Sequence, residues 1–273
     1  MHAVMHWNSL RRNNVVVRGE GEHTLVLAHG FGCDQNMWRA LEPHLEGFRL
    51  VLFDYTGCGA SDLSRFDPDR HSQLEGFAED LSEICETLDL QGATLVGHSV
   101  SGTIGLMAAI AAPSRFARLV MVCPSPCFLN VAGYAGGFEQ SDLEELIALM
   151  DRNYIGWANQ LAPLVTGNSA GSDLTEELAS SFCSTDPVTA RTFAEATFLS
   201  DHRDLLSRSL HPVLALQSAR DALAPLSVGH YVRDALPNGQ LEVIDADGHY
   251  LHVTHPDVVA QHIKNFIGEN ADA

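Results

Sequence analysis

The sequence is poor in basic residues. Sixteen Lys and Arg stand against 35 Asp and Glu, which gives a formal net charge of −19 at pH 7. A field of this sign repels the phosphates of nucleic acids and anionic lipid surfaces. We therefore expect neither a nucleic acid nor a membrane among the partners of the protein.

Paired cysteines and long apolar runs are also absent from the sequence. The six cysteines are scattered, with no Cys-x-x-Cys pair and no histidine at zinc-ligand spacing, so we expect reduced thiols and no metal site. The longest apolar stretches, such as Ile104–Ala112, are too short to cross a bilayer, and Met1–Asn14 lacks the apolar centre of a secretion signal. These absences predict a cytoplasmic protein.

Short aliphatic runs are present and recur along the chain, each followed by a turn signal and a segment at helical spacing. This alternation is typical of a mainly parallel sheet with crossover helices, and 273 residues are ample for one such domain. One of these helices is expected at Ser72–Leu88 and another at Pro256–Ile267. The predicted strands are Val15–Arg18, Thr24–Ala28, Arg49–Asp54, Thr94–Gly97, Leu119–Cys123, Val213–Gln217 and Leu241–Ile244.

The short apolar runs that predict strands do not recur between residues 125 and 210, where the apolar residues instead have helical spacing. This stretch begins just after one predicted strand and ends just before the next. We therefore predict a core formed by residues 1–124 and 211–273, with residues 125–210 inserted as a helical cap. Such an insertion lies over the carboxyl ends of the strands, where α/β proteins place their ligands.

The strongest local signal is Gly97-His98-Ser99-Val100-Ser101, at the junction of a predicted strand and a helix. Small neighbours let the backbone double back tightly and hold a serine at the strand tip, as in a nucleophile elbow. Ser101 occupies a position where this motif usually has glycine. The alternative is that Ser99 only caps the helix.

A serine hydroxyl needs a base to accept its proton and a carboxylate to orient that base. In chain order Ser, Asp, His, the loop after Val213–Gln217 offers Asp221, and the loop after the last strand offers His249. Four other residues of this second region remain candidates for base or acid: His252, His255, Asp245 and Asp247. His249 is preferred as the base because it directly follows a glycine in the loop.

Stabilising an oxyanion requires two backbone N–H donors. We predict them at Val100, which follows the serine, and at Phe31, in the glycine-rich loop after an early strand. A second glycine-containing loop at Asp54–Ser61 lacks both the third glycine of a dinucleotide site and a Walker lysine. We interpret it as a structural turn and expect no cofactor.

The predicted cap is rich in large apolar side chains, which favours a small apolar substrate over a long polymer. Most such residues pack helices together, but some are expected to line the pocket, and Cys33 or Cys58 could border it as well. The candidates are Phe128, Phe138, Tyr154, Trp157, Phe193 and Phe198.

Taken together, these segments resemble the RsbQ-type α/β-hydrolases that regulate bacterial stress responses and, more distantly, the plant strigolactone and karrikin receptor hydrolases. In the predicted core the resemblance rests on Arg12–Val15, His29–Gln35, Phe53–Tyr55, Gly97–Val100 and Pro124–Cys127. In the predicted cap it rests on Gly136–Glu139, Asn153–Trp157, Phe182–Pro187 and Ser200–Arg203. The cap segments are the more specific, because nucleophile elbows occur throughout the superfamily. Ser101-Gly102 is closer to the plant receptors than to the bacterial regulators.

The resemblance implies an α/β-hydrolase fold with a four-helix cap over an apolar pocket, a triad of Ser99, Asp221 and His249, and an oxyanion hole at Phe31 and Val100. It also implies a signalling or stress-response role, in which the protein meets a small hydrophobic ester or lactone and acts on a partner such as a sensor-type phosphatase. A general carboxylesterase or lactonase, and a receptor module with little turnover, are the alternative interpretations.

Overall fold

The structure of the protein is a computed structural model that describes residues 9–269. Seven strands form one sheet in the order β1-β3-β2-β4-β5-β6-β7, in which β1 is antiparallel to β3 and the other neighbouring strands are parallel. The strands are β1 (Val16–Arg18), β2 (Thr24–Ala28), β3 (Arg49–Leu52), β4 (Ala93–His98), β5 (Phe116–Val122), β6 (Val213–Arg220) and β7 (Gly239–Asp247).

Helices follow most of the parallel strands and pack on both faces of the sheet. The helices of the core are α1 (Leu74–Thr87), α2 (Val100–Ala111), α7 (Leu226–Ala235), α8 (Leu251–Thr254) and α9 (Pro256–Glu269). Between β5 and β6 lie α3 (Gln140–Arg152), α4 (Tyr154–Thr166), α5 (Asp173–Ser184) and α6 (Pro187–Phe198). Among the described residues, no helix is both long and apolar enough to span a membrane.

Each predicted strand occurs in the structure, but several have different ends. The strand β5 begins at Phe116, three residues before the predicted start, and β7 extends on both sides of Leu241–Ile244. The extension of β7 includes Asp245 and Asp247, whose backbone belongs to the strand while their side chains reach solvent. A prediction based on apolar runs stops short at such positions.

Alternating side chains of the central strands supply two hydrophobic layers. Leu25 and Leu27 of β2 face one layer, which includes α9 and the inner side of α3–α6. Val26 and Ala28 face the other layer, which includes α1, α2 and α7. The strands are therefore buried on both sides, as their continuous apolar runs predict. The division into a core and a 125–210 cap remains a proposal, and its bounds at 1 and 273 lie outside the described residues.

A buried carboxylate fixes the N-terminal segment to the outer helix layer. Asp80 of α1 has 0% exposure, and its carboxylate lies 3.1 Å from Arg12 Nη2, 2.8 Å from Arg70 Nη2 and 3.1 Å from His71 Nε2. Thr56 Oγ1 donates a further hydrogen bond of 2.5 Å. Burial opposes ionisation of Asp80, but these partners outweigh it and lower its pKa.

We predict that Asp80→Ala lowers the free energy of unfolding by about 3 kcal/mol, because it removes the buried member of this network and leaves the half-buried Arg12 and Arg70 with only the more exposed Glu79 and Glu83. Chemical denaturation at pH 7 measures this loss. The matched control is Glu79→Ala, since the Glu79 side chain is 65% exposed and pairs with the same Arg70. It should cost about 1 kcal/mol or less. Equal losses for the two variants would contradict the assignment of Asp80 as the anchor.

Candidate active site

Ser99 lies between the end of β4 and the start of α2, in a backbone conformation that serine rarely adopts. Its φ is 56° and its ψ is −124°, within the left-handed half of conformational space. The turn is possible because Gly97 carries no side chain: a Cβ there would lie 2.4 Å from the carbonyl oxygen of Ser101. The strained turn holds Ser99 at the carboxyl edge of the sheet, as a nucleophile elbow does.

Ser101, the departure from the usual elbow motif, fits this turn. Its hydroxyl donates a 2.5 Å hydrogen bond to the carbonyl of His29 and lies 2.9 Å from the hydroxyl of Tyr55. His29 is the first residue of the glycine-rich loop that follows β2. The Ser101 side chain therefore ties the elbow to the loop that carries Phe31, a link that glycine cannot make.

The hydroxyl of Ser99 begins a chain of two hydrogen bonds. Its Oγ lies 2.8 Å from Nε2 of His249, and Nδ1 of the same ring lies 2.6 Å from Oδ2 of Asp221. All three residues are less than 9% exposed. This arrangement has the order and the contacts of a Ser-His-Asp triad, in which the histidine can accept the hydroxyl proton.

Asp221 is oriented by the turn that follows β6. Its Oδ1 accepts hydrogen bonds from the backbone N–H groups of Leu223, at 2.9 Å, and Ala224, at 3.1 Å. This leaves Oδ2 directed at His249. Burial opposes the charge of Asp221, but the attraction of His249 and the hydrogen bonds outweigh it and lower its pKa. The carboxylate is thus held ionised, as the orienting group of a triad must be.

The backbone of His249 is fixed from two sides. Its N–H donates to the carbonyl of Val165 in α4, at 2.7 Å, and its carbonyl accepts from Nε2 of the buried His98, at 2.9 Å. The side chain of His98 therefore supports the backbone of His249. Gly30 makes room for this ring, because a Cβ there would lie 2.4 Å from Nδ1 of His98.

The other candidates for base and acid have different environments. Asp245 and Asp247 form ion pairs with Arg220 at the surface. His252 is fully buried against the rings of Trp38 and His98, with centroid distances of 4.6 and 4.5 Å. The geometry thus separates His249 and Asp221 from alternatives that the sequence left open.

The two proposed oxyanion donors flank Ser99. Val100 is the first residue of α2, so its N–H has no acceptor four residues earlier in the helix. Phe31 follows β2, and the pairing of Ala28 with Gly97 brings the ends of β2 and β4 side by side. Both backbones therefore approach the nucleophile, and their role in oxyanion binding stays a prediction.

A small apolar cavity of about 20 Å³ lies at Ser99 and His249. Two of the six aromatic residues proposed for the pocket, Phe128 and Phe198, line it. Phe31 also lines it, and its ring packs against Phe198 at a centroid distance of 5.4 Å. The other lining residues are Cys33, His98, Leu161, Val165, Leu178, Phe182, Thr197, Leu223 and Tyr250.

The remaining four proposed pocket residues lie elsewhere. Trp157 stacks on Tyr154 at 5.3 Å, and Phe193 stacks on Phe77 at 4.1 Å. Phe138 lines a separate groove beside α3 and α4. These four residues do not line the cavity at Ser99, and their part in a substrate pocket stays a prediction. Aromatic type alone does not reveal which side of a helix faces the cavity.

Sequence reasoning also missed aliphatic residues on α4 and α5 that line the cavity, and Tyr250, although it directly follows His249. Of the two loop cysteines, Cys33 borders the cavity, whereas Cys58 belongs to the hydrophobic layer beside α1 and α2. Its position directly after the predicted base, His249, could have identified Tyr250 as a residue of the cavity. The aliphatic residues carry no comparable signal.

One group of metal-ligating atoms occurs among the described residues, and it includes two members of the triad. The ligating atoms of Cys123, Asp221 and His249 lie within 4.8 Å of one another. Burial and the nearby Asp221 charge raise the pKa of the Cys123 thiol. Because Asp221 and His249 already bond to each other, we interpret Cys123 as a neutral neighbour of the triad.

The loop at residues 54–61 forms a compact turn. Asp54 Oδ1 accepts from the backbone N–H of Gln35 at 2.8 Å, and Oδ2 accepts from Ala60 N–H at 2.9 Å and Asn14 Nδ2 at 2.8 Å. These bonds join the loop to the loops after β2 and before β1. This arrangement supports its interpretation as a structural turn.

Comparison with known proteins matches residues 23–256 to the model of a family described as alpha/beta hydrolase fold. A karrikin insensitive 2 receptor of Petunia hybrida is 41% identical, covering 90% of this chain and 92% of the receptor. A strigolactone esterase of Arabidopsis thaliana is 34% identical, covering 94% and 97%. The solved structure of a hydrolase from Oleispira antarctica has a TM-score of 0.94 and 51% identity, covering 96% and 97%.

These similarities confirm the predicted fold class and the relation to the plant receptor hydrolases. The more specific relation to the bacterial stress-response regulators stays a prediction.

The buried histidine next to the triad yields a prediction about pH and stability. Burial, and secondarily the nearby His249, lower the pKa of His252 from 6.5 to about 3. The unfolded chain therefore binds a proton at this residue near pH 6.5, whereas the folded protein does not until about pH 3. We expect His252 to make the free energy of unfolding fall by about 2 kcal/mol between pH 7 and pH 5.

Urea denaturation of wild type and His252→Phe at both pH values measures this contribution. The variant should lose less stability on acidification than wild type does, and the exposed His230→Phe should behave like wild type. The same pH dependence in wild type and His252→Phe would show that His252 does not contribute to the loss of stability on acidification.

Proposed function

The chain belongs to the α/β-hydrolase family, and we propose that it is a serine hydrolase that cleaves a small, largely apolar ester or lactone. The observation that carries this proposal is the buried chain of hydrogen bonds from Ser99 through His249 to Asp221. An elbow that only capped a helix would not need a histidine at its hydroxyl or a carboxylate behind that histidine.

In the proposed mechanism, His249 Nε2 accepts the proton of Ser99 as its Oγ attacks the carbonyl carbon. Asp221 keeps the proton on Nδ1, so that Nε2 is free to act as base, and stabilises the imidazolium that forms. The N–H groups of Phe31 and Val100 stabilise the oxyanion. His249 then returns the proton to the leaving oxygen, and water releases the acyl group from Ser99.

The walls of the cavity support an apolar substrate. They are formed mainly by Phe, Leu and Val side chains, and the polar groups at the cavity include those of Ser99 and His249. Such a lining excludes water and offers few partners to a charged acyl group. A small acyl chain or a lactone ring fits this chemistry better than a carbohydrate or a peptide.

A role in signalling is the more specific part of the proposal. One relative is named as a karrikin insensitive 2 receptor and another as a strigolactone esterase, so the relatives of this chain include both a named receptor and a named esterase. We propose that this protein likewise meets a small hydrophobic signal in the cytoplasm and engages a protein partner. A sensor-type phosphatase, as in the bacterial stress-response regulators, is the proposed class of partner.

The alternative is a general carboxylesterase or lactonase, a function favoured by the complete triad geometry. A related curated protein of Nitrosomonas europaea is named as a methyl ester esterase. Rapid turnover of many simple esters would favour this alternative. A receptor module with little turnover is favoured by the small cavity and would show a single slow acylation.

We predict that Ser99→Ala lowers kcat for p-nitrophenyl acetate at least about 10⁴-fold, because nucleophile and base act as a unit. Asp221→Asn should reduce kcat by about 10⁴-fold through loss of the correct histidine tautomer. The release of p-nitrophenol measures both effects. The exposed Ser207→Ala is the matched control and should retain wild-type activity.

Intact-protein mass spectrometry with a fluorophosphonate tests the same residue without turnover. One adduct on wild type and Ser207→Ala, and none on Ser99→Ala, is the expected result. Equal hydrolysis by wild type and Ser99→Ala, or labelling of the Ser99→Ala protein, would overturn the assignment of the nucleophile.

A further inference from the structure

A second cavity of about 230 Å³ lies beside the apolar space at Ser99 and opens to the surface. It is formed by the loop after β2, by α5 and by the segment that follows His249. Most of its rim is polar, with exposed side chains from both the loop and the helix. The polar residues on it are Asp34, Asn36, Arg39, Glu177, Ser180, Ser181 and Ser184.

A thin wall separates this outer cavity from the catalytic space. Cys33, Leu178 and Tyr250 line both cavities, so each presents a different side to each space. The Tyr250 hydroxyl and the Cys33 thiol lie 2.8 Å apart, which joins the loop to the segment after His249. Burial raises the pKa of Cys33 to about 12 and also raises that of Tyr250, so the contact is between neutral groups.

The space at Ser99 is too small to hold a whole ester, so a substrate must also occupy a neighbouring cavity. About 20 Å³ accommodates roughly one water molecule, whereas binding sites for small molecules are usually about 300–1,000 Å³. An ester placed with its carbonyl at Ser99 must therefore extend through one of the walls. The Cys33–Leu178–Tyr250 wall leads to a cavity already formed, and a single neutral contact holds its two sides together.

The chemistry of the outer cavity differs from that of the space at Ser99. Arg39 forms an ion pair with Glu177 across it, and Asp34 Oδ1 accepts from the N–H of Asn36 at 2.8 Å. Two carboxylates against one guanidinium disfavour an anion there. The hydroxyls of Ser181 and Ser184 donate to backbone carbonyls and so offer acceptors, while Asn36 and Ser180 offer donors and acceptors to an uncharged, hydroxylated group.

The order of bond breaking indicates which part of the ester lies there. In the proposed mechanism the acyl group stays bound to Ser99 while the alcohol departs with the proton returned by His249. The enclosed apolar space suits the group that stays. The outer cavity, which reaches solvent, suits the group that leaves first.

We propose that the outer cavity is the leaving-group subsite, which takes the uncharged, hydroxylated alcohol portion of an ester whose small apolar acyl group binds at Ser99. Tyr250 is the movable part of the wall between the two spaces. This inference rests on the proposed serine hydrolase function and revises its substrate from a largely apolar ester to one that is apolar only in its acyl part: an ester of a small apolar acid with a polyol.

Two acetate esters of similar size test the class of alcohol. Glycerol monoacetate carries free hydroxyls, whereas pentyl acetate presents an apolar chain. Acetate release by wild type should show a kcat/KM at least tenfold higher for glycerol monoacetate. An equal or higher value for pentyl acetate would overturn the polar assignment.

Filling the cavity tests its location. Ser180 is exposed on the rim of the outer cavity, so Ser180→Trp should occupy it and reduce the preference for glycerol monoacetate at least tenfold. The matched control is Cys183→Trp, at an exposed position of α5 that does not line the outer cavity. It should keep the wild-type preference. Retention of the preference in Ser180→Trp would overturn the location.

Tyr250→Phe tests the wall independently of the tryptophan variants. It keeps the ring but removes the hydroxyl that contacts Cys33, so kcat/KM for glycerol monoacetate should rise by about threefold to tenfold. An unchanged or lower value would show that Tyr250 is not the movable wall. Fluorophosphonate labelling of Ser99 in every variant separates these outcomes from failure of the proposed function, which would appear as no adduct in wild type.

Discussion

The left-handed backbone of Ser99 is the constraint on which the rest of the site depends. A φ of 56° is a strained conformation for serine, and contacts with the surrounding structure stabilise it. The compensation comes from the ladder between β4 and β5, from the absence of a side chain at Gly97 and from the hydrogen bonds of Ser101. Without these contacts the turn would relax and carry the hydroxyl away from His249.

The same constraint explains why the site is assembled from distant parts of the chain. His249 receives its orientation from Asp221 after β6, from His98 and from the Val165 carbonyl of α4. The helices between β5 and β6 therefore do more than line the cavity at Ser99, because one of them accepts a hydrogen bond from the backbone of His249. A movement of α4 would change the alignment of His249 as well as the volume above Ser99.

Apolar and polar side chains line two separate cavities that lie a short distance apart. Ser99 and His249 lie in a space lined mainly by Phe, Leu and Val, while hydroxyl and charged groups lie on the far side of Cys33, Leu178 and Tyr250. A water-poor environment strengthens the electrostatic interactions of the triad. Polar groups beyond the wall can contact a ligand without placing their own unpaired donors in that environment.

The sequence predicted the features that depend on local chemistry. Continuous apolar runs identified the buried strands, because strands covered on both faces have no polar side. The spacing of Gly97, Ser99 and Ser101 identified the elbow, because few residue types tolerate that turn. Chain order then favoured Asp221 and His249, since each directly follows a strand of the sheet.

Tertiary structure decided what depends on packing between distant segments. The sequence alone did not reveal that Asp245 and Asp247 pair with Arg220, or that Phe128 and Phe198 reach the cavity while Phe138 lies in another groove. Residue type fixes what a side chain can do. Which partner it meets is decided by the helix face and by the approach of segments that are separated in the chain, and local sequence patterns encode neither.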